Sequence, residues 1–331
     1  MDTLDAILID TVQSTAEQVL GSYNPILIRS TAPPAPLDPT DTSIHNITRQ
    51  YRRLMASPPS LLTSTNSSSS IEEEVLQHYE TIFAQSSPTI NPLPPPPPVP
   101  NDGSDGLHSF FTNNSIKRAI RSYPRHKAPG LDNITQPLLF HLTQSQLTLQ
   151  LRHIFIIYAN FGITPASWCI TKTILLPKNK HNTTASNTRP IALTSLFRRI
   201  FEKILLIYIN TDHYTRNLTN MNYGQAGFRP HYSSSSQALL LHCLITSNPH
   251  LRVIFLDLTS AYDRVPHTRV LEILASKHCP PRLLSIIYSL FTRCSTRFLV
   301  NHALTPPLPL FRGLLQGSLL SPCYSICSST P

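Results

Sequence analysis

"VIFLDLTSAYDRV", residues 253–265, sets a single carboxylate, Asp257, near the end of an apolar run. An ionised carboxylate in such a setting is costly unless a cation or strong donors compensate it. A strand-end Asp of this kind therefore ligates a metal or caps a helix. Metal chemistry on phosphates generally uses two carboxylates, so the reading turns on where a partner for Asp257 lies.

Composition narrows the setting. The 331 residues are long enough for two domains, and 40% hydrophobic content suffices for a core, but 31 Pro against 9 Gly implies that part of the chain does not pack. Six cysteines form no CxxC pair and show no metal-ligand spacing. Neither a signal peptide nor an apolar run long enough for a bilayer is evident, so the expectation is a reduced, intracellular, soluble protein without membrane attachment.

The net charge of +9 conceals a division. Residues 1–105 hold 4 Lys/Arg against 12 Asp/Glu, and residues 106–331 hold 23 against 6, giving −8 and +17. A basic excess of this size points to a polyanionic partner, most often nucleic acid, with a merely solvated basic face as the alternative.

Organisation follows the same boundary. "TAPPAPLDPT", "STNSSSS" and "NPLPPPPPVPNDGSDG" read as Pro- and Ser-rich linkers, with the helical "SIEEEVLQHYETIF" among them. The proline run reads as a spacer more simply than as a ligand for a Pro-binding domain.

Beyond residue 106 the elements become regular. "SIKRAIRSYP" starts a short helix, "QPLLFHLTQSQLTLQLRHIFIIYANF" is helical, and "CITKTILLPK" alternates as a strand. In "LFRRIFEKILLIYI" the apolar positions follow helical spacing, which predicts Arg198, Arg199, Glu202 and Lys203 on the outer face. "PPRLLSIIYSLFTR" opens a helix with Pro, and "TRFLVN" and "PLPLFRG" read as short strands. The aliphatic stripes are core.

Five of the nine glycines, at 130, 224, 227, 313 and 317, fall in "HKAPGLDNI", "YGQAGFR" and "RGLLQGSLLSP". Scarce glycine gathered in this way marks backbone that turns tightly or approaches a ligand. Taken in order, with "LPKNK", "TRPIALTSLFRRIFEKIL" and "FLDLTSAYDRV" between them, these segments resemble the reverse transcriptase of non-LTR, LINE-type retrotransposons. The likeness covers about residues 106 to 322. "KAPGLDNI" resembles the family's KAPGxDGI apart from Asn133, and "TRPIALTSLFRRIFEKIL" its RPIxLxxxxxKxxEKxL segment. "GQAGFR" resembles QxGFR, and "GLLQGSLLSP" the opening of the long palm helix. "SIEEEVLQHYETIF" looks like the segment between the endonuclease and the polymerase of such elements, which implies that the endonuclease is absent here.

The resemblance implies roles. Asp257 would bind both catalytic Mg²⁺ ions, aided by the main-chain carbonyl of Leu258, during attack of a primer 3′-hydroxyl on the α-phosphate of a dNTP. Tyr262 would exclude a ribose 2′-hydroxyl; otherwise it is a core aromatic. Lys178 and Arg189 would hold the triphosphate, a task for a point charge and a planar fork, and are otherwise surface cations. Gln316 and Gly317 would pack beside the sugar and base. Lys127, Gly130 and Arg229 would contact RNA template or DNA primer. Asp263 is expected to cap the helix over "PHTRVLEILAS".

The second carboxylate of the family lies in a YADD or FADD hairpin after "QGSLLSP", and no such motif occurs in the 331 residues. "CYSICSSTP" shows neither strand nor helix period. Back-translated as CCC TGC TAT TCA ATC TGT TCA TCA ACT, Pro322 to Thr330 become P-L-L-F-N-L-F-I-N, the family's helix, when one C is restored. The expectation is a frame shift at Pro322 in a decayed element, leaving a chain without polymerase activity and with an exposed apolar palm edge.

The expected fold class is α+β: an incomplete right-hand polymerase with a disordered or helical N-terminal segment. Residues 1–105 would be an acidic linker region, 106–250 fingers, 251–322 a partial palm and 323–331 a frameshifted tail. In the intact family the protein works in nucleus and cytoplasm. Two other function classes stand beside the polymerase: a noncatalytic nucleic-acid-binding remnant, and a viral RNA-dependent RNA polymerase, against which Tyr262, Gln316 and "KAPG" argue.

Overall fold

The computed structural model describes residues 70–84, 105–142, 147–178, 184–211, 232–248, 250–257 and 260–329, with short pieces at 3–4, 6–7, 10, 98–99, 218 and 225–227. Helix α1 (Ile71–Phe83) starts where Ser70 and Glu73 form a reciprocal capping box, and three glutamates in its first turn suit the positive end of the helix dipole. Its stripe of Val75, Tyr79 and Phe83, spaced by four, is buried. Helix α2 (Asn113–Arg121) repeats the device with Thr112 and Ser115 and ends in Arg118 and Arg121. The long helical reading over 136–161 resolves into α3 (Gln136–Leu142) and α4 (Leu147–Phe161).

A short helix, α5 (Ala166–Cys169), leads into strand β1 (Ile170–Pro177), followed by β2 (Thr188–Leu193), α6 (Leu196–Thr211) and α7 (Ser234–Ser247). Then come α8 (His267–Ser276), α9 (Pro281–Thr292, with Pro in its first turn), β3 (Ser295–Val300), β4 (Ala303–Leu304), β5 (Leu308–Pro309) and α10 (Ser321–Ser329). The chain is thus mixed α+β. The sheet runs β2-β1-β3-β4, with β5 also on β3. β1 and β2 are antiparallel, Thr173 facing Ala192 and Leu176 facing Arg189. β3 lies parallel to β1, with Thr173 beside Phe298.

The buried apolar side chains form two cores. In the helical one, Trp168 touches Phe155, Tyr158 and Phe201 at ring distances of 5.3 to 6.0 Å, and Phe111 stacks on Phe201. In the second, α1 covers the sheet through Leu175, Ala192, Phe298, Val300 and Leu315. Tyr79 stacks on Phe298 at 4.7 Å, and its hydroxyl bonds Thr188 Oγ1 at 2.7 Å; burial pushes this phenol up to about 12. The C-terminal end of α1 is tied to the segment leading into "GLLQGS". Phe311 N–H donates to the Phe83 carbonyl, and the Arg312 guanidinium donates to the carbonyls of Thr81 and Ile82. These contacts answer the free carbonyls that a helix end leaves.

Four expectations give way. Arg198, Arg199 and Glu202 are buried, not outward. Helix α6 is enclosed on nearly all sides, so its charged positions had to pair: Arg198 Nε donates to Glu202 Oε1 at 2.7 Å and its Nη1 to the Trp168 carbonyl at 2.6 Å. Arg199 donates to Thr194 Oγ1 and lies 5.3 Å from the Tyr123 ring centre, whereas Lys203 stays part-exposed and reaches Ser122. Residues 251–257 pair with no strand among the described residues, and Ile254, Phe255 and Leu256 are 82%, 81% and 91% exposed. Asp257 is exposed with them, so the buried strand-end carboxylate assumed from the apolar run is not found. Asp263 does not cap α8, whose N-cap is Pro266 without a side-chain hydrogen bond. Finally, the tail without a period is helical as α10, and Tyr324 packs against Phe291.

Candidate functional site

Two segments lie antiparallel at the end of the sheet. Residues 260–266 carry the turn after Asp257, and 312–318 carry the doubled glycine. Leu314 N–H donates to the Tyr262 carbonyl and Gly313 N–H to that of Val265, both at 2.8 Å, and Pro266 bridges Arg312. Beneath them His267 Nε2 meets the Gly313 carbonyl at 2.8 Å, and its ring stacks on Phe291 at 4.2 Å. A carbonyl only accepts, so that nitrogen carries a proton; burial lowers the imidazole to about 4 and keeps it neutral.

The segments enclose a cleft of ≈ 430 Å³ lined by residues 260–263, 315–318, 321 and 322. Gln316 is fixed at both ends. Its carbonyl accepts from Ala192 N–H on β2 at 2.9 Å, and its Nε2 donates to Asp263 Oδ1 at 3.1 Å. Burial raises the Asp263 carboxyl, opposed by that amide and by the nearby charge of Lys178. Gly317 adopts φ +141°, and a Cβ there would sit 2.3 Å from the Ala192 carbonyl oxygen, which accounts for glycine at that position. Tyr262 is half-buried beside them; burial raises its phenol and a Ser325 hydrogen bond lowers it.

Sequence-predicted residues separate accordingly. Tyr262, Gln316 and Gly317 come together in the cleft. Asp257 is exposed three residues before Ser260, and Leu258 lies outside the described residues. Lys178 is exposed just past β1, on the side from which its charge reaches Asp263. Arg189 is exposed, and its pairing with Leu176 sets it on the face opposite Thr173, Pro190 and Ala192. Lys127 is exposed, but Gly130 is buried where a Cβ would press on the Thr194–Ser195 backbone at 2.8 Å, so it shapes the loop instead of offering surface. Asp132 in that loop accepts from Ser195 Oγ at 2.6 Å. Arg229 lies outside the described residues. Asp263 was missed as part of the cleft; only its place one residue after Tyr262 could have signalled it.

Of the ligands that the resemblance implies for two Mg²⁺ ions, Asp257 lies among the described residues and Leu258 does not. The described residues bring together no group of three or more His, Cys, Asp or Glu side chains. As they stand the described residues do not fit a two-ion centre.

The family "Reverse transcriptase (RNA-dependent DNA polymerase)" matches residues 176–328, which run from the end of β1 through β2 and the cleft. Residues 176–328 are thus similar to a reverse transcriptase, and the curated relatives of the chain are proteins of transposons and retrotransposable elements. The chain is 27% identical over 218 residues to "Probable RNA-directed DNA polymerase from transposon BS" of Drosophila melanogaster, covering 64% of this chain and 24% of that protein. To "Transposon TX1 uncharacterized 149 kDa protein" of Xenopus laevis it is 24% identical, over 68% of this chain and 17% of the relative. To "Retrovirus-related Pol polyprotein from type-1 retrotransposable element R2" of Popillia japonica it is 26% identical, over 64% and 29%. The chain spans less than a third of the length of each of these curated relatives.

Proposed function

We propose that this chain supplies the fingers and the beginning of the palm of an RNA-directed DNA polymerase, and that the cleft between residues 260–263 and 315–318 receives a deoxynucleoside triphosphate. The observation that carries the reading is the convergence of Tyr262, Gln316 and Gly317 on one open cleft beside Asp263. Tyr262 would stand where a 2′-hydroxyl must be refused, Gln316 would present an amide already oriented by Asp263, and Gly317 would let backbone approach the sugar. Lys178 would meet the triphosphate as a compact cation. The basic half, with Lys127 and Arg229, would hold RNA template and DNA primer.

Primer extension on poly(rA) with dTTP, beside Asp257→Ala, tests the polymerase. Incorporation that the substitution abolishes supports it, and incorporation that survives the substitution overturns the role of Asp257. Titration with a fluorescent deoxynucleotide and its ribose counterpart tests the gate. Tyr262→Ala should raise ribonucleotide affinity towards that of the deoxynucleotide, and an unchanged ratio removes Tyr262 from that role.

That the described residues gather no group of three or more His, Cys, Asp or Glu side chains favours a second reading, a noncatalytic nucleic-acid-binding remnant. RNA binding that weakens with salt, without incorporation, selects it.

A further inference from the structure

Glu202 lies inside α6 with no exposed surface, and besides the Arg198 Nε bond at Oε1 both of its oxygens take donors from outside the helix. Oε1 and Oε2 each accept from Ser318 Oγ at 3.0 Å, and Oε2 also accepts from Leu319 N–H at 2.9 Å. Ser318 Oγ accepts in turn from Leu320 N–H at 3.3 Å. The partner Arg198 uses one nitrogen on Glu202 and another on the Trp168 carbonyl.

A buried ion pair is weak grounds for stability, because well-packed apolar side chains in its place are often neutral or better. A buried carboxylate needs donors beyond its counter-ion, and these could come from any part of the core. This one gathers them where the backbone is least able to hold itself: Gly317 has no side chain, and its neighbour Gln316 is tied on the other side to Ala192 and Asp263.

We propose that Glu202 is a positioning residue for the cleft: from the core of α6 its carboxylate holds the Gln316–Leu319 turn, and so sets where the Gln316 amide meets the nucleotide. The inference rests on the nucleotide reading of the cleft for its consequence, but the tether itself can be measured without a nucleotide. Small displacements of a positioning group are costly to a site, which is why such a shell is built on rigid elements.

The test compares two double variants of the whole chain, Arg198→Met/Glu202→Gln and Arg198→Met/Glu202→Leu. Both remove the ion pair, but only the first keeps an acceptor oxygen facing Ser318 and Leu319. Hydrogen exchange is followed in peptides covering 315–320 and 196–211, and binding by titration with a fluorescent deoxynucleoside triphosphate. The Gln variant is expected to keep slow exchange at 315–320. In the Leu variant, exchange there should be about tenfold faster while 196–211 stays protected, and the nucleotide should bind about tenfold more weakly.

Equal exchange at 315–320 in the two variants overturns the proposal, as does loosening of 196–211 in step with the turn in the Leu variant. The expected exchange pattern in a protein that binds no deoxynucleotide upholds the tether and removes the nucleotide reading. Should either double variant fail to fold, Ser318→Ala, which leaves the ion pair intact, carries the same two readouts: faster exchange at 315–320 upholds the tether, and unchanged exchange and affinity overturn it.

Discussion

Gly317 leaves no room for a side chain. Alanine there must either push the Ala192 carbonyl away or abandon φ +141°, so Gly317→Ala should cost about 2–4 kcal/mol, read from urea denaturation midpoints. His267 gives a pH dependence of definite sign. Its folded pKa of about 4 lies below the ordinary 6.5, so the folded protein takes up this proton less readily than the unfolded chain. The stability it contributes is whole above pH 6.5 and is lost as pH falls from there towards 4, by about 3 kcal/mol. Denaturation at pH 7 and 4.5 should show the loss, and His267→Gln should flatten it. Of these residues, the glycine was legible in the sequence because scarce glycine clusters. The buried His267 was not, because a lone histidine on an amphipathic stripe looks the same buried or exposed.

At the scale of elements, periodicity located most helices, and it failed where a helix is enclosed. The stripe on α6 marked its most apolar side, and nothing in "FRRIFEK" says that the other side is also covered; the ion pair that makes this tolerable involves a carbonyl from α5 and a turn near α10. The segment 251–257 erred the other way, since an apolar run reads as a strand but becomes one only where a neighbour offers its backbone. Helix α1 was read as a helix inside a linker, and its amphipathic stripe could not announce the sheet it covers. That packing makes α1 indispensable: a chain beginning at residue 106 uncovers Phe298, Val300 and Leu175 and should elute as aggregate in size-exclusion chromatography, whereas one beginning at 68 should remain monodisperse. Tyr79→Phe, which keeps the stacking and removes the Thr188 bond, should cost about 1 kcal/mol in denaturant unfolding.

For the whole molecule, the division between an acidic first third and a basic remainder was plain from counting, and the ordered motifs made the family legible over most of that remainder. The cleft was legible as its three residues and not as a geometry, because Asp263, Ala192 and Glu202 meet it only through tertiary structure. With +17 on residues 106–331, RNA affinity should fall at least about tenfold between about 50 and 200 mM salt in filter-binding assays, and a flat response would deny a phosphate-led interface. The two cores also differ in colour. The protein has a single tryptophan, Trp168, and it lies wholly within the helical core, its carbonyl held by Arg198. Its emission is therefore a probe placed by the fold itself: excited at the red edge, it reports the packing of Phe155, Tyr158 and Phe201 around it.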